Sequence, residues 1–164
     1  MSVVTETTNL LEAHLNVHWL RPESALWDAI ASAVVSAFPI QPPALDLGAG
    51  NGCFSFITAG GAFSLEYDWY RNADPRGFWE HRDMYDAFVA GPEPSWITRQ
   101  PTYQIECALD RKPALLRQAA GLGFYRQVVA ANANRGLPFA DGAFQTVFSN
   151  MLYWLDSPAA SLRE

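Results

Sequence analysis

The sequence predicts an α/β fold with a doubly wound, mainly parallel sheet. Two observations carry this. Short apolar strands alternate with helical segments from residue 42 onward, and the first of those strands runs into a turn with glycines at 48, 50 and 52. Strands in such an alternation pair in parallel through right-handed crossovers, with helices packed on the sheet. A chain of 164 residues, 49% hydrophobic, can bury one core and is short for two, so residues 1–164 read as a single domain.

Residues 1–41 read as a helical cap. Leu10, Leu11, His14, Leu15 and His18 recur at helical spacing over 5–19, with Thr8 or Asn9 available as a cap. A second helix is expected from Pro22, continuing through Leu26, Trp27, Ile30, Val34 and Phe38 until Pro39. His14 and His18 stand at i and i+4, a spacing a metal could use, but no acidic or sulfur partner accompanies them, so they read as packing or surface residues. Residues 42–61 form the glycine unit: a strand over Ala44–Leu47, the glycine turn, and a helix from Asn51 to Ala59 closed by Gly60-Gly61.

Residues 62–102 look inserted. The interval from Gly52 to Asp110 far exceeds the ~30 residues of a whole strand–helix–strand unit. It is dense in aromatics, among them Phe63, Tyr67, Trp69, Tyr70, Tyr85 and Trp96, and a helix is expected from Pro75 to Ala90. Such a segment is either a satellite core or an element lying over a ligand crevice. In 103–164 the alternation resumes. Strands are expected at Tyr103–Asp110, Gln127–Ala131 and Phe144–Ser149, with a helix at Lys112–Ala120 and a last one opened by Ser157-Pro158.

Composition narrows the partners. The net charge is −6 and Lys and Arg do not cluster, which argues against a nucleic-acid surface. Two distant cysteines, Cys53 and Cys107, form neither a zinc pair nor a disulfide framework, and read as thiols of a reducing compartment. With no signal-peptide pattern and no apolar run long enough for a bilayer, the expected location is the cytoplasm, without membrane association.

Ligands of such sheets bind at the C-terminal ends of the strands, near the switch in strand order. The residues expected there are Asp46 with Gly48, Ala49, Gly50, Asn51 and Gly52, then Asp110, then Asn132 and Ala133, then Ser149 and Asn150. A nucleoside could use them: Asp110 can accept two ribose hydroxyls and Asn132 can meet a base edge. Asp110 is equally a helix cap by position, and Asn132 and Asn134 are equally turn residues. G-x-G-x-x-G would need glycine at position 53, which is Cys53, so a nicotinamide cofactor is disfavoured.

Three segments carry a resemblance: Leu45-Asp46-Leu47-Gly48-Ala49-Gly50-Asn51-Gly52, Leu109-Asp110 with Pro113 to Ala119, and Leu137 to Glu164. Together they resemble class I S-adenosylmethionine-dependent methyltransferases of the small-molecule branch labelled type 11. The resemblance implies a Rossmann-like sheet, with Asp46 and the glycines around the methionine part of S-adenosyl-L-methionine. It further implies Asp110 on the ribose, Asn132-Ala133 on the adenine, and Ser149 and Asn150 near the transferred methyl. The acceptor would be a small molecule or carbohydrate-like. Tyr153, His18 and His81 are the candidate bases, and Arg21 could reach the cofactor carboxylate. Asn132 stands where the family usually has Asp, Gln145 replaces an acid, and Tyr153 replaces a frequent histidine.

The family's sheet goes on to a fifth strand and a final hairpin, which this sequence lacks, so the expected sheet is incomplete at the C-terminus. That sets a second reading beside the first: a catalytically inactive scaffold, or a fragment of a longer or split enzyme. It also predicts an open edge on the fourth strand, to be covered by a homodimer or a partner chain.

Overall fold

The computed structural model describes residues 3–72, 79, 84–87 and 91–163. Its centre is a four-stranded parallel sheet made of β1 (Ala44–Leu47), β4 (Ile105–Asp110), β5 (Tyr125–Ala130) and β6 (Thr146–Phe148). The order is β5-β4-β1-β6. From β1 the chain moves to β4 and then β5, and returns to lay β6 on the other side of β1. The switch in direction falls at β1, and the fold is α/β, as the alternation predicts. Leu45, Asp46 and Leu47 pair with Cys107, Ala108 and Leu109, while Ala44, Leu45 and Asp46 pair with Thr146, Val147 and Phe148.

Period-two alternation sorts the strand residues into two cores. On one face Ala44 and Ala108 pack with Phe56, Leu115, Leu116, Ala119 and Phe124, and Ile105, at the very start of β4, joins this cluster against the alternation. These come largely from α3 (Cys53–Thr58) and α4 (Pro113–Gly121). On the other face Leu45, Leu47, Cys107 and Leu109 pack with Ala133 and Leu155, and with half-buried Leu137, Phe139 and Phe144. There the covering is mostly irregular chain from the 131–155 stretch, which is followed by the short α5 (Pro158–Ser161).

The helical cap consists of α1 (Val3–His18) and α2 (Pro22–Ser36). Both helices form where expected, but α2 buries its small residues, Ala25, Ala29 and Ser32. Its large ones, Leu26, Trp27, Ile30 and Val34, are exposed, as is Phe38 just beyond its end. Small side chains allow close approach of α1 and α3, and a polar chain runs through that contact. His14 Nε2 and Ser32 Oγ share a hydrogen bond of 2.8 Å, Ser32 Oγ and Thr58 Oγ1 one of 2.7 Å, and Thr58 donates to Phe54 O. His14 is fully buried, and burial pushes its pKa down to about 4.

The insertion is pinned at both ends by an antiparallel pair, β2 (Ala62–Phe63) and β3 (Ile97–Arg99), too short to be read from the sequence. Its aromatics extend the core. Phe56 and Phe63 have ring centroids 4.9 Å apart, Phe63 and Tyr67 5.0 Å, and Tyr67 stacks on Trp96 at 5.4 Å. The helix expected over 75–90 falls largely outside the described residues; Met84–Ala87, which is described, is a 3-10 turn.

Candidate functional site

The C-terminal ends of β1, β4 and β5 and the turn after β6 meet at one side of the sheet. After β1 the chain turns through Gly48, Gly50 and Gly52, all with positive φ. Gly48 N and Ala49 N both donate to Leu109 O at the end of β4, and Gly50 N donates to Asp110 Oδ2 at 2.9 Å. Asp110 Oδ1 accepts from Lys112 N, the residue capping α4, at 2.8 Å. The Asp110 carboxylate thus serves the turn, as a cap does, and also faces a cavity with its remaining lone pairs.

That cavity, about 750 Å³, is of the size small-ligand sites have. Of the residues the sequence nominates, Gly48, Gly50, Asn51, Asp110, Asn132, Ala133 and Asn150 line it. Asp46, Ala49, Gly52 and Ser149 do not. The reason for Asp46 is its register. It shares a face of β1 with Ala44, so its side chain turns toward α3 and β5, where Oδ2 accepts from Ser55 Oγ and from Tyr125 OH at 2.6 Å. Burial raises its carboxyl pKa to about 6, against the pull of the two hydroxyls. Gly52 is backed by Tyr125 as well: a Cβ there would stand 2.8 Å from the tyrosine ring. Ser149 Oγ accepts from Met151 N and shapes the turn after β6.

The turn offers ligand contacts different from those expected. A helix start beside a glycine turn offers unpaired amides as ligand donors, but here Cys53 N is bonded to Asn51 Oδ1 at 3.0 Å. This leaves Asn51 Nδ2 as a buried donor with no hydrogen-bond partner on the cavity wall. Above Gly50 a Cβ would meet nothing within 4 Å, so the backbone there is open to a close neighbour. Asn132 Oδ1 accepts from Asn134 N at 3.0 Å, the turn role read as its alternative, and retains one lone pair and its amide N–H groups.

The opposite wall comes from the cap and the insertion. His18, Trp27 and Asp28 line it with Trp69, Tyr70 and Tyr85. Asp28, which the sequence reading passed over, is held from two sides. His18 Nε2 lies 3.4 Å from Oδ2, and Asn150 Nδ2 donates to Oδ1 at 3.2 Å. Trp69 Nε1 donates to Gln118 Oε1, anchoring the insertion to α4. The aromatic segment is therefore both satellite core, through Tyr67, and cavity wall, through Trp69, Tyr70 and Tyr85.

Of the candidate bases, His18 and Tyr153 line the cavity and His81 lies outside the described residues. Arg21 does not line it; its guanidinium pairs with Glu23 and sits 5.6 Å from the Tyr70 ring centroid. Among the described residues no His, Cys, Asp and Glu cluster is suited to a metal, and no helix is long and apolar enough to cross a membrane. Compared with known proteins, the chain matches no family model, no curated protein and no solved structure.

Proposed function

We propose that the chain is an S-adenosylmethionine-binding methyltransferase domain acting on a small-molecule acceptor. The observation that carries this is the convergence of the Gly48–Gly50 turn, Asp110 and Asn132-Ala133 on one cavity at the strand ends, beside the switch in strand order. The residues suit the cofactor's chemistry. Asp110 can accept ribose hydroxyls, Asn51 Nδ2 is a buried donor available to the amino-acid carboxylate, and the open space above Gly50 admits a close approach. When bound, the cofactor supplies a methyl group activated by a sulfonium.

The chain's own share is binding and alignment. Fixed donors and acceptors at the strand ends orient one reactant, and the aromatic wall excludes water from the other. A side-chain base is required only where the acceptor atom carries a proton that must leave. The open outer edge of β6, which pairs only with β1 among the described residues, is the surface through which a second copy or a partner chain would add.

Calorimetric titration with S-adenosylhomocysteine tests the reading without knowledge of the acceptor. Binding is expected in the wild type, and Asp110→Ala should weaken it by about 1.5 to 3 kcal/mol, the range for hydrogen bonds to a charged group. No binding to the folded wild-type chain would reject the cofactor, and unchanged affinity in a folded Asp110→Ala would remove Asp110 from the site.

A further inference from the structure

The cap side of the cavity has its own chemistry. Asp28 is half-buried, with 22% of its side chain accessible, and its two contacts, His18 Nε2 and Asn150 Nδ2, leave each oxygen with further lone-pair capacity. Among the described residues no Lys or Arg pairs with it. Among the described residues, the Lys and Arg that line the cavity, Arg111 and Lys112, belong to the β4 wall beside Asp110, and Lys112 is paired with Asp86.

Around Asp28 the wall is aromatic. His18 lies edge-on to Trp69 at 6.2 Å and 5.8 Å from Tyr70, Trp69 stacks on Tyr85 at 6.0 Å, and Trp27 and Tyr153 add further rings. A carboxylate with no Lys or Arg partner among the described residues, in a cavity wall built largely of aromatic rings, suits a cation, attracted by the charge and by the ring quadrupoles together. An anionic ligand would have to desolvate against Asp28 for no return. A neutral one would gain from the rings and leave the charge unmatched.

We infer that this half of the cavity is a subsite for a small primary amine carrying a ring-sized apolar body, its ammonium held at Asp28. An ammonium nitrogen has no lone pair, so the group at Asp28 anchors the molecule rather than reacting; as a description of the methyl acceptor, the inference rests on the cofactor reading above. His18 and Asn150 are positioning residues, fixing the carboxylate from α1 and from the turn after β6.

The test compares 2-phenylethylamine, protonated at pH 7.5, with its neutral counterpart 2-phenylethanol, titrated by protein-observed NMR against the full chain with and without S-adenosylhomocysteine. The amine should bind at least ten-fold tighter than the alcohol. Asp28→Asn should remove that preference while leaving S-adenosylhomocysteine affinity and a cooperative thermal transition in place. Equal affinities, no binding of either probe, or a preference that survives in Asp28→Asn would overturn the subsite; the first two need only the wild type. Selective amine binding by a chain that does not bind S-adenosylhomocysteine would support the subsite and overturn the proposed cofactor.

Discussion

Two buried polar knots hold this molecule together, and they respond to protons in opposite senses. Beneath the glycine turn, Asp46 takes hydrogen bonds from Ser55 and Tyr125 in an interior that raises its pKa to about 6 from 3.8. Between the cap helices, His14 shares a bond with Ser32 in an interior that lowers its pKa from 6.5 to about 4. The cause is common to both: burial disfavours whichever form is charged, the deprotonated acid in one case and the protonated imidazole in the other.

The signs follow by linkage. Asp46, with a folded pKa above its unfolded value, contributes stability that is full below about 3.8 and is lost as pH rises through about 6. His14, with a folded pKa below its unfolded value, contributes stability that is full above 6.5 and is lost as pH falls through about 4. Each amounts to about 3 kcal/mol at 1.36 kcal/mol per unit. Across the same window the two slopes oppose, so each knot offsets part of the other's contribution to the pH dependence of stability.

Removing one knot should expose the other, which is the largest effect expected. Urea unfolding of Asp46→Asn should show stability rising by about 3 kcal/mol from pH 4 to 6.5, and His14→Phe should show it falling by about as much from pH 4 to 6. Parallel profiles for the two variants would refute the opposition. A smaller effect is expected from crowding the first knot without touching its charge. Gly52→Ala places a Cβ against Tyr125 at a left-handed position, and should cost about 2 kcal/mol; Gly50→Ala, in open space, should cost about 1 kcal/mol from the backbone alone. Equal midpoints for these two variants would show that Tyr125 yields freely. The smallest effect concerns the second knot: Ser32→Ala leaves His14 Nε2 without its partner and should lower stability by about 1 kcal/mol at pH 7. An unchanged denaturation midpoint would mean that the bond is replaced by water.

The two knots also show what a sequence discloses. The parallel strand–helix alternation, the glycine turn and the acid ending β4 were legible because apolar runs, glycines and helix starts are local signals. Asp46 was misplaced although the signal existed: in a four-residue strand it shares a face with Ala44 two positions away, opposite Leu45 and Leu47. Asp28 was not legible at all. An acid on an amphipathic helix looks solvated, and only folding brings it to Asn150, far along the chain. The exposed Leu26, Trp27, Ile30 and Val34 teach a related lesson, since periodicity marks an apolar stripe without saying whether the stripe or the small residues beside it will be buried.

The glycine turn hangs from its neighbour by three successive amides, two on Leu109 O and one on the Asp110 carboxylate. It is therefore not a portable loop. An engineer who grafted Gly48–Gly52 onto another parallel sheet would carry over the flexible backbone and leave behind the acceptors that give it shape. The smallest unit worth transplanting is the turn with the adjacent strand end, and a library built to change the ligand should hold both fixed and vary the cap.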